Sequence, residues 1–169
     1  MIGNQGLSCL LNNAGVAPKA TRYNLVKVEQ MESTYRTNVL GPLFLSKMCL
    51  PLLKKSEKSV IVNMSSILGS IEFNQKVMGS GGAGGGQYPY RSTKAALNMV
   101  SRSLSIDLQE FGIGVMAVHP GWVQTDMGGK HAPLTPEESC KGVLNLIQNF
   151  DYESQNGGFL DYKGDIVPW

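Results

Sequence analysis

The chain has 169 residues, of which 42% are hydrophobic and 17% are charged, and this composition excludes an intrinsically disordered protein. Fifteen Lys and Arg residues against thirteen Asp and Glu residues leave a net charge of +2, which does not favour a nucleic-acid partner. No stretch approaches about 18 consecutive apolar residues, so we predict no membrane-spanning helix. The N-terminus lacks a basic segment followed by an apolar run, so we also predict no signal peptide.

The cysteine pattern favours free thiols. Cys9, Cys49 and Cys140 are odd in number and widely spaced, which is typical of small buried thiols rather than of a disulfide framework or a zinc site. We therefore expect a cytoplasmic protein with no metal site.

Short apolar runs alternate with longer segments of helical periodicity along the chain. Residues 7–11 form an apolar run that predicts a strand buried on both faces. The other predicted elements are a helix at 27–55 with a possible kink at Gly41-Pro42, a strand at 59–64, a helix at 88–110, a strand at 113–118, a helix from the Thr135 cap to about 150, and a strand at 158–162. This alternation predicts a parallel α/β fold.

The chain contains one glycine-rich run, at Gly79 to Gly86. It lacks the lysine and hydroxyl residues of a phosphate-binding P-loop, so we predict a flexible insertion within a single domain spanning residues 1–169. No G-x-x-x-G-x-G run opens a helix, so the sequence contains no cradle for the pyrophosphate of a dinucleotide.

Tyr90 and Lys94 lie one helical turn apart at the start of a predicted helix. One turn places both side chains on the same helix face, where an ammonium favours the phenolate form and lowers the pKa of the phenol. Such a tyrosine can serve as a general acid or base. Tyr88 is a rival proton donor, but its offset of six residues from Lys94 places it on another face, and Pro89 indicates that it precedes the helix.

Four motifs in chain order connect this pair to a known family. They are Leu11-Asn12-Asn13-Ala14-Gly15, Thr37-Asn38-Val39, Val62-Asn63-Met64-Ser65-Ser66 and His119-Pro120-Gly121-Trp122-Val123-Gln124-Thr125. With Tyr90 and Lys94 they resemble the short-chain dehydrogenase/reductase family over essentially the whole chain. The runs at 64–70, 90–98, 120–129 and 156–159 look most like the C-factor-like and sniffer-like carbonyl reductases.

The resemblance implies a catalytic set of Asn38, Ser66, Tyr90 and Lys94. Tyr90 would donate a proton to a substrate carbonyl as hydride arrives from a nicotinamide, and Lys94 would lower the Tyr90 pKa and hold the nicotinamide ribose. Ser66 rather than Ser65 would bond the carbonyl oxygen, and Asn38 would hold a water that links the lysine to solvent. His119 is interpreted as a satisfied structural histidine.

The resemblance also implies a cofactor site and a fold. The cofactor would be NADP, with NAD not excluded, and the substrate a small aldehyde or ketone. Besides Tyr90 and Lys94, the cofactor-binding residues would be Asn13, Ala14, Gly15, Pro120, Gly121, Val123 and Thr125. The elements would correspond to the C-terminal half of a doubly wound Rossmann-type sheet, with the first strands and the dinucleotide fingerprint absent.

Two functions remain open from the sequence. The first is a carbonyl-reducing oxidoreductase, which could form a homo-oligomer. The second is a non-catalytic truncated chain that cannot bind the dinucleotide and acts at most through subunit association. The physiological substrate is not specified by the sequence.

Overall fold

Four parallel strands form a single sheet in a computed structural model that describes residues 6–19, 21–75 and 85–169. The strands lie in the order β1 (Cys9–Asn12), β2 (Ser59–Met64), β3 (Ile113–His119) and β4 (Phe159–Asp161). Each neighbouring pair is parallel. The helices are α1 (Val28–Tyr35), α2 (Gly41–Leu53), α3 (Tyr88–Asp107), α4 (Pro136–Gln148) and α5 (Tyr152–Gln155). The predicted parallel α/β fold is confirmed.

The two central strands are apolar on both faces, as expected for a parallel sheet covered by helices. Alternate residues of β2 and β3 point to opposite faces and enter two separate clusters. One cluster joins them to α4 through Val143 and Leu146. The other joins them to the end of α2 and to the end of α3 through Leu53 and Leu108.

The burial predicted for residues 7–11 is wrong. The strand there is β1, and its pattern runs from half-buried Cys9 and Leu10 to Leu11, which is 43% exposed, with only Asn12 buried. Within the described residues β1 pairs with β2 alone, so one of its edges has no strand beside it.

The long helix predicted at 27–55 is interrupted by a π-helical segment, Arg36–Leu40, between α1 and α2. The N–H of Gly41 donates to the carbonyl of Arg36, five residues back, instead of four. Pro42 has no N–H to donate to the carbonyl four residues before it, which disfavours a regular α-helical ladder here. The predicted kink therefore takes the form of a widened helical turn.

Other boundaries agree with the sequence prediction to within a few residues. The helix predicted at 88–110 is α3 followed by a 3-10 turn, Gln109–Phe111. Tyr88 is the first residue of α3, so the expectation that it precedes the helix is wrong. The Thr135 capping box forms as predicted, with Thr135 and Glu138 bonding each other's main-chain N–H groups.

None of the three cysteines is in a disulfide, but the expectation that all are buried is wrong. Cys9 and Cys49 are half-buried, whereas Cys140 is exposed on α4. No helix in the described ranges is long and apolar enough to cross a membrane. Of the predicted glycine-rich insertion, residues 79–84 lie outside the described residues, and its flexibility stays a prediction.

Candidate active site

Ser66 and Tyr90 meet at the carboxyl edge of the sheet. Ser66 follows the end of β2, and Tyr90 lies in the first turn of α3. The Ser66 side chain lies close enough to the Tyr90 phenol to influence its ionisation. Ser66 also caps a 3-10 turn, Ile67–Gly69, where its hydroxyl accepts the N–H of Leu68 at 3.2 Å. The carboxyl edge is where open α/β sheets bind their ligands, so the pair lies where a substrate could reach it.

The neighbouring serine has a different environment. The hydroxyl of Ser65 donates to the side-chain oxygen of Asn98 on α3 at 2.5 Å, and both residues are buried. Ser65 therefore links the end of β2 to α3, while the side chain of Ser66 lies beside the phenol of Tyr90.

Burial dominates the ionisation of Tyr90. Desolvation raises the pKa of its phenol, and the Ser66 side chain offsets part of this rise. Burial and Ser66 are the causes of this shift, and the lowering effect expected of Lys94 stays a prediction. Lys94 Nζ lies 5.5 Å from the centroid of the Tyr90 ring and donates to the carbonyl of Met64 at 2.7 Å.

Lys94 is a buried ammonium with 4% of its surface exposed, and burial lowers its pKa to about 8. The ion pair found among the described residues is Lys141 with Glu137, so within that part of the chain Lys94 has no carboxylate partner. A buried, unpaired cation is costly unless hydrogen bonds satisfy it. Its three donors and its position one turn from Tyr90 leave it able to bond hydroxyl groups of a ligand.

The stability of the protein, compared with that of a Lys94→Met variant, is expected to rise between pH values of about 8 and 10.5. In this window the unfolded chain keeps the lysine proton and the folded chain has lost it, so raising the pH favours the folded state. Across the interval between the two pKa values, about 8 and 10.5, the free energy of unfolding should rise by about 3 kcal/mol relative to the variant.

Urea denaturation across this pH range checks the prediction. Lys141→Met, which changes a side chain that is 74% exposed, is the control; because it keeps Lys94, its stability should show the same rise as that of wild type. A difference between wild type and Lys94→Met that stays constant with pH would contradict it.

Asn38 is fully buried in the π-helical segment. Its side-chain oxygen accepts the N–H of Val16 at 2.9 Å, and its amide nitrogen donates to the carbonyl of Val16 and to the hydroxyl of Thr93, both at 3.0 Å. It thus joins the loop after β1 to α3 beside Lys94. The family resemblance implied a special role for Asn38 but not these partners.

Replacing Asn38 with Leu is expected to lower the free energy of unfolding by about 3 kcal/mol or more. The change leaves both main-chain groups of Val16 and the Thr93 hydroxyl without their partner. Urea denaturation measures the loss. Asn145→Leu, on the exposed side of α4, is the control and should change stability by no more than about 0.5 kcal/mol; equal losses in the two variants would refute the prediction.

Sequence reasoning missed a row of buried polar side chains under the site. Asn12 donates to Asn63 at 2.7 Å and to Ser46 at 3.3 Å, and Asn63 donates to Ser101 at 2.8 Å. Asn12 and Asn63 are register partners on β1 and β2. The sequence does show an asparagine near the end of each of two apolar strands. Whether the two side chains meet depends on the register between the strands, which the sequence does not reveal.

Three predicted cofactor residues, Asn13, Ala14 and Gly15, lie in the loop after β1. A Cβ on Gly15 would lie 3.6 Å from both Asn38 Oδ1 and Lys94 Nζ, so the loop passes close to the buried site. Asn13 and Ala14 are exposed and line a cleft of about 270 Å³. The other lining residues of the cleft are Leu11, Asn12, Thr37, Gly41, Pro42 and Leu45.

The other predicted cofactor residues follow β3. Gly121 has a φ of +85°, and a Cβ there would lie 2.3 Å from the Leu134 side chain, so the close approach requires glycine. Pro120 accepts the Ser139 hydroxyl at 2.7 Å. Val123 forms a parallel bridge with Leu134.

The hydroxyl of Thr125 is already bonded within its own loop. It accepts the N–H of Gly128 at 3.1 Å and donates to the carbonyl of Val123 at 3.4 Å. A hydroxyl oxygen accepts two hydrogen bonds, so Thr125 retains the capacity to accept one from a ligand amide.

His119 ends β3, and Tyr88 begins α3. Burial lowers the pKa of His119 to about 4, against an opposing effect of Asp161, so the imidazole is neutral near pH 7. The Nδ1 atom of His119 is buried and has no hydrogen-bond partner in the described part of the chain. The expectation that the hydrogen bonds of this histidine are satisfied is therefore wrong for Nδ1. Tyr88 is 42% exposed and packs edge-on against Tyr23.

The chain is similar to several known proteins. C-signal from Myxococcus xanthus is 40% identical over 160 residues, covering 95% of this chain and 91% of that protein. The Drosophila melanogaster carbonyl reductase Sniffer superposes with a TM-score of 0.91 at 42% identity, covering 99% of this chain and 68% of that one. An NADPH-bound carbonyl reductase from chicken fatty liver superposes with a TM-score of 0.89 at 37% identity, covering 99% of this chain and 68% of that one.

The chain thus spans about two thirds of the length of these two solved reductases. Residues 3–134 match the family model described as short chain dehydrogenase. The resemblance drawn from the four motifs and the Tyr90–Lys94 spacing is confirmed, and the chain belongs to the short chain dehydrogenase family.

Proposed function

We propose that this protein reduces an aldehyde or ketone with NADPH through Ser66, Tyr90, Lys94 and Asn38. The observation that carries the proposal is the placement of the Ser66 side chain beside the Tyr90 phenol, with the buried ammonium of Lys94 one helical turn along the same face. The carbonyl reductases among the similar structures support the reaction type.

Each side chain has a role that follows from its surroundings. Because burial raises its pKa, Tyr90 stays protonated near neutrality and gives its proton to the carbonyl oxygen. Ser66 bonds the same oxygen and strengthens this interaction as negative charge develops. Lys94 replenishes the phenol by way of water, since a lysine with a pKa of about 8 exchanges protons readily near neutral pH.

The residues present fit the nicotinamide end of the cofactor. A nicotinamide supplies the hydride when it is bound. Lys94 has donors for the ribose hydroxyls, and Gly15 leaves room beside Lys94 and Asn38 that a larger side chain would fill. Thr125 would accept a hydrogen bond from the carboxamide, and Pro120, Gly121 and Val123 would form the adjoining wall. Asn13 and Ala14, which line the cleft, would lie on the adenosine side.

The NADPH preference rests on the chicken enzyme, which is described as NADPH bound, and on a Burkholderia multivorans short-chain dehydrogenase/reductase with bound NADP. The proposed substrate is a small carbonyl compound, and the proposed location of the protein is the cytoplasm. Assembly into a homo-oligomer stays a prediction. A non-catalytic chain is not favoured, because the four proposed catalytic side chains are assembled in one place.

NADPH oxidation with a panel of aldehydes and ketones tests the proposal. Two proteins are compared: residues 1–169 alone, and the same residues joined behind the glycine-rich first half of a short-chain reductase. We expect carbonyl-dependent NADPH oxidation by the joined protein. A joined protein that binds NADPH but oxidises it no faster with any carbonyl than without one would overturn the proposal.

A further inference from the structure

The segment after β4 folds back onto the sheet. Val167 donates its N–H to the carbonyl of Phe159 at 2.8 Å. The ring of Trp169 stacks on that of Phe159, with centroids 5.5 Å apart and planes 26° apart. Phe159 is 1% exposed, so the tryptophan is anchored on a fixed core residue.

The same tryptophan holds the loop beyond Ser66. Its main-chain oxygen accepts the N–H of Glu72 at 3.1 Å and the hydroxyl of Ser70 at 3.3 Å. Ser70 is 1% exposed, and its oxygen in turn accepts the N–H of Phe73 at 3.2 Å. Trp169 therefore fixes residues 70–73 through three connected hydrogen bonds.

This loop is continuous with the turn that Ser66 caps. Ser70 donates its N–H to the carbonyl of Ile67 at 3.0 Å and so closes the 3-10 turn. The turn lies against α3, because a Cβ on Gly69 would come within 2.7 Å of the Lys94 main chain. Ile67 and Phe73 pack on the apolar cluster of Ala117, Phe159 and Val167.

We propose that Trp169 is a positioning residue for the Ser66–Tyr90 pair; the link to catalysis rests on the proposed function. The ring anchors the residue whose oxygen holds the loop, so loss of the ring releases the loop and loosens the turn that places the Ser66 hydroxyl. Trp169 is 43% exposed, so its removal opens little cavity in the core and the fold remains intact.

Hydrogen exchange on the chain of residues 1–169 tests the first step. In Trp169→Ala, the amides of Glu72 and Phe73 should exchange at least about tenfold faster, the effect of losing one hydrogen bond. Trp169→Phe keeps an aromatic ring on Phe159 and should restore most of the protection. Ile166→Ala, in the same segment with a side chain 84% exposed, is the control and should behave as wild type.

The second step, the effect of the released loop on the Ser66–Tyr90 pair, is measured at Tyr90 itself. In protein with isotope-labelled tyrosine, the magnetic resonance signal of Tyr90, identified by its loss in Tyr90→Phe, should move in Trp169→Ala towards its position in Ser66→Ala. Trp169→Phe should return it towards wild type.

Two outcomes would overturn the inference. One is unchanged exchange at Glu72 and Phe73 in Trp169→Ala. The other is faster exchange with the Tyr90 signal still at its wild-type position, which would make Trp169 a purely structural residue. If both readouts respond as expected while the joined reductase shows no carbonyl reduction, the positioning role stands and the proposed function fails.

Discussion

Replacing Tyr90 with Phe is expected to lower kcat for carbonyl reduction by a factor of about 10² to 10⁴, the usual contribution of a positioned general acid. The ring and its packing are kept, so the dissociation constant for NADPH should change little. Steady-state kinetics with NADPH titration on the joined reductase measure both quantities.

Tyr88→Phe is the matched control, because it removes a phenol two residues away that is 42% exposed and faces Tyr23. Its kcat should equal that of wild type. If Tyr90→Phe kept most of its activity, or if Tyr88→Phe were the variant that lost it, the assignment of the proton donor would be wrong.

Replacing Lys94 with Ala is expected to impair cofactor affinity and turnover together. Hydrogen bonds from a charged donor contribute about 1.5 to 3 kcal/mol each, so losing two to the ribose would raise the dissociation constant for NADPH by about 10² or more. Calorimetric titration gives the affinity, and steady-state kinetics give kcat.

Lys94→Arg separates charge from geometry at this position. A guanidinium keeps the positive charge but is planar and larger, and it does not fit a buried site shaped for an ammonium that donates to Met64. It should therefore recover little of the affinity. A Lys94→Ala variant with wild-type affinity and reduced kcat would exclude the proposed contact with the ribose.

Local patterns in the sequence were sufficient to predict the parallel sheet and its helices. The helical period places Tyr90 and Lys94 on one face by short-range geometry, whereas Ser66 was inferred from the family resemblance, and its place beside Tyr90 depends on how β2 and α3 pack. The burial of β1 was predicted incorrectly, because a run of apolar residues does not reveal how many strands flank a given strand.

Electrostatics and long-range contacts could not be predicted in the same way. The Tyr90 pKa is raised because burial outweighs the opposing effect of Ser66, and burial is a property of the folded protein. The bonds of Asn38 to Val16 and of Ser70 to Trp169 join residues 22 and 99 positions apart, and no local pattern specifies such partners.

The π-helical segment Arg36–Leu40 also determines the direction in which the Asn38 side chain points, because it contains one residue more than a regular α-helical turn. A π-helical turn holds one residue more than an α-helical turn, so deleting a single residue such as Leu40 would let α1 and α2 merge into one regular helix. α1 and α2 would keep nearly the same orientation around the helix axis, because five residues of a π-helical turn cover about the same angle as four residues of an α-helix. The residues inside the segment would change their directions, so the loss would fall on the bonds of Asn38 to Val16 and Thr93, while α1 and α2 would keep the faces that they turn to the sheet.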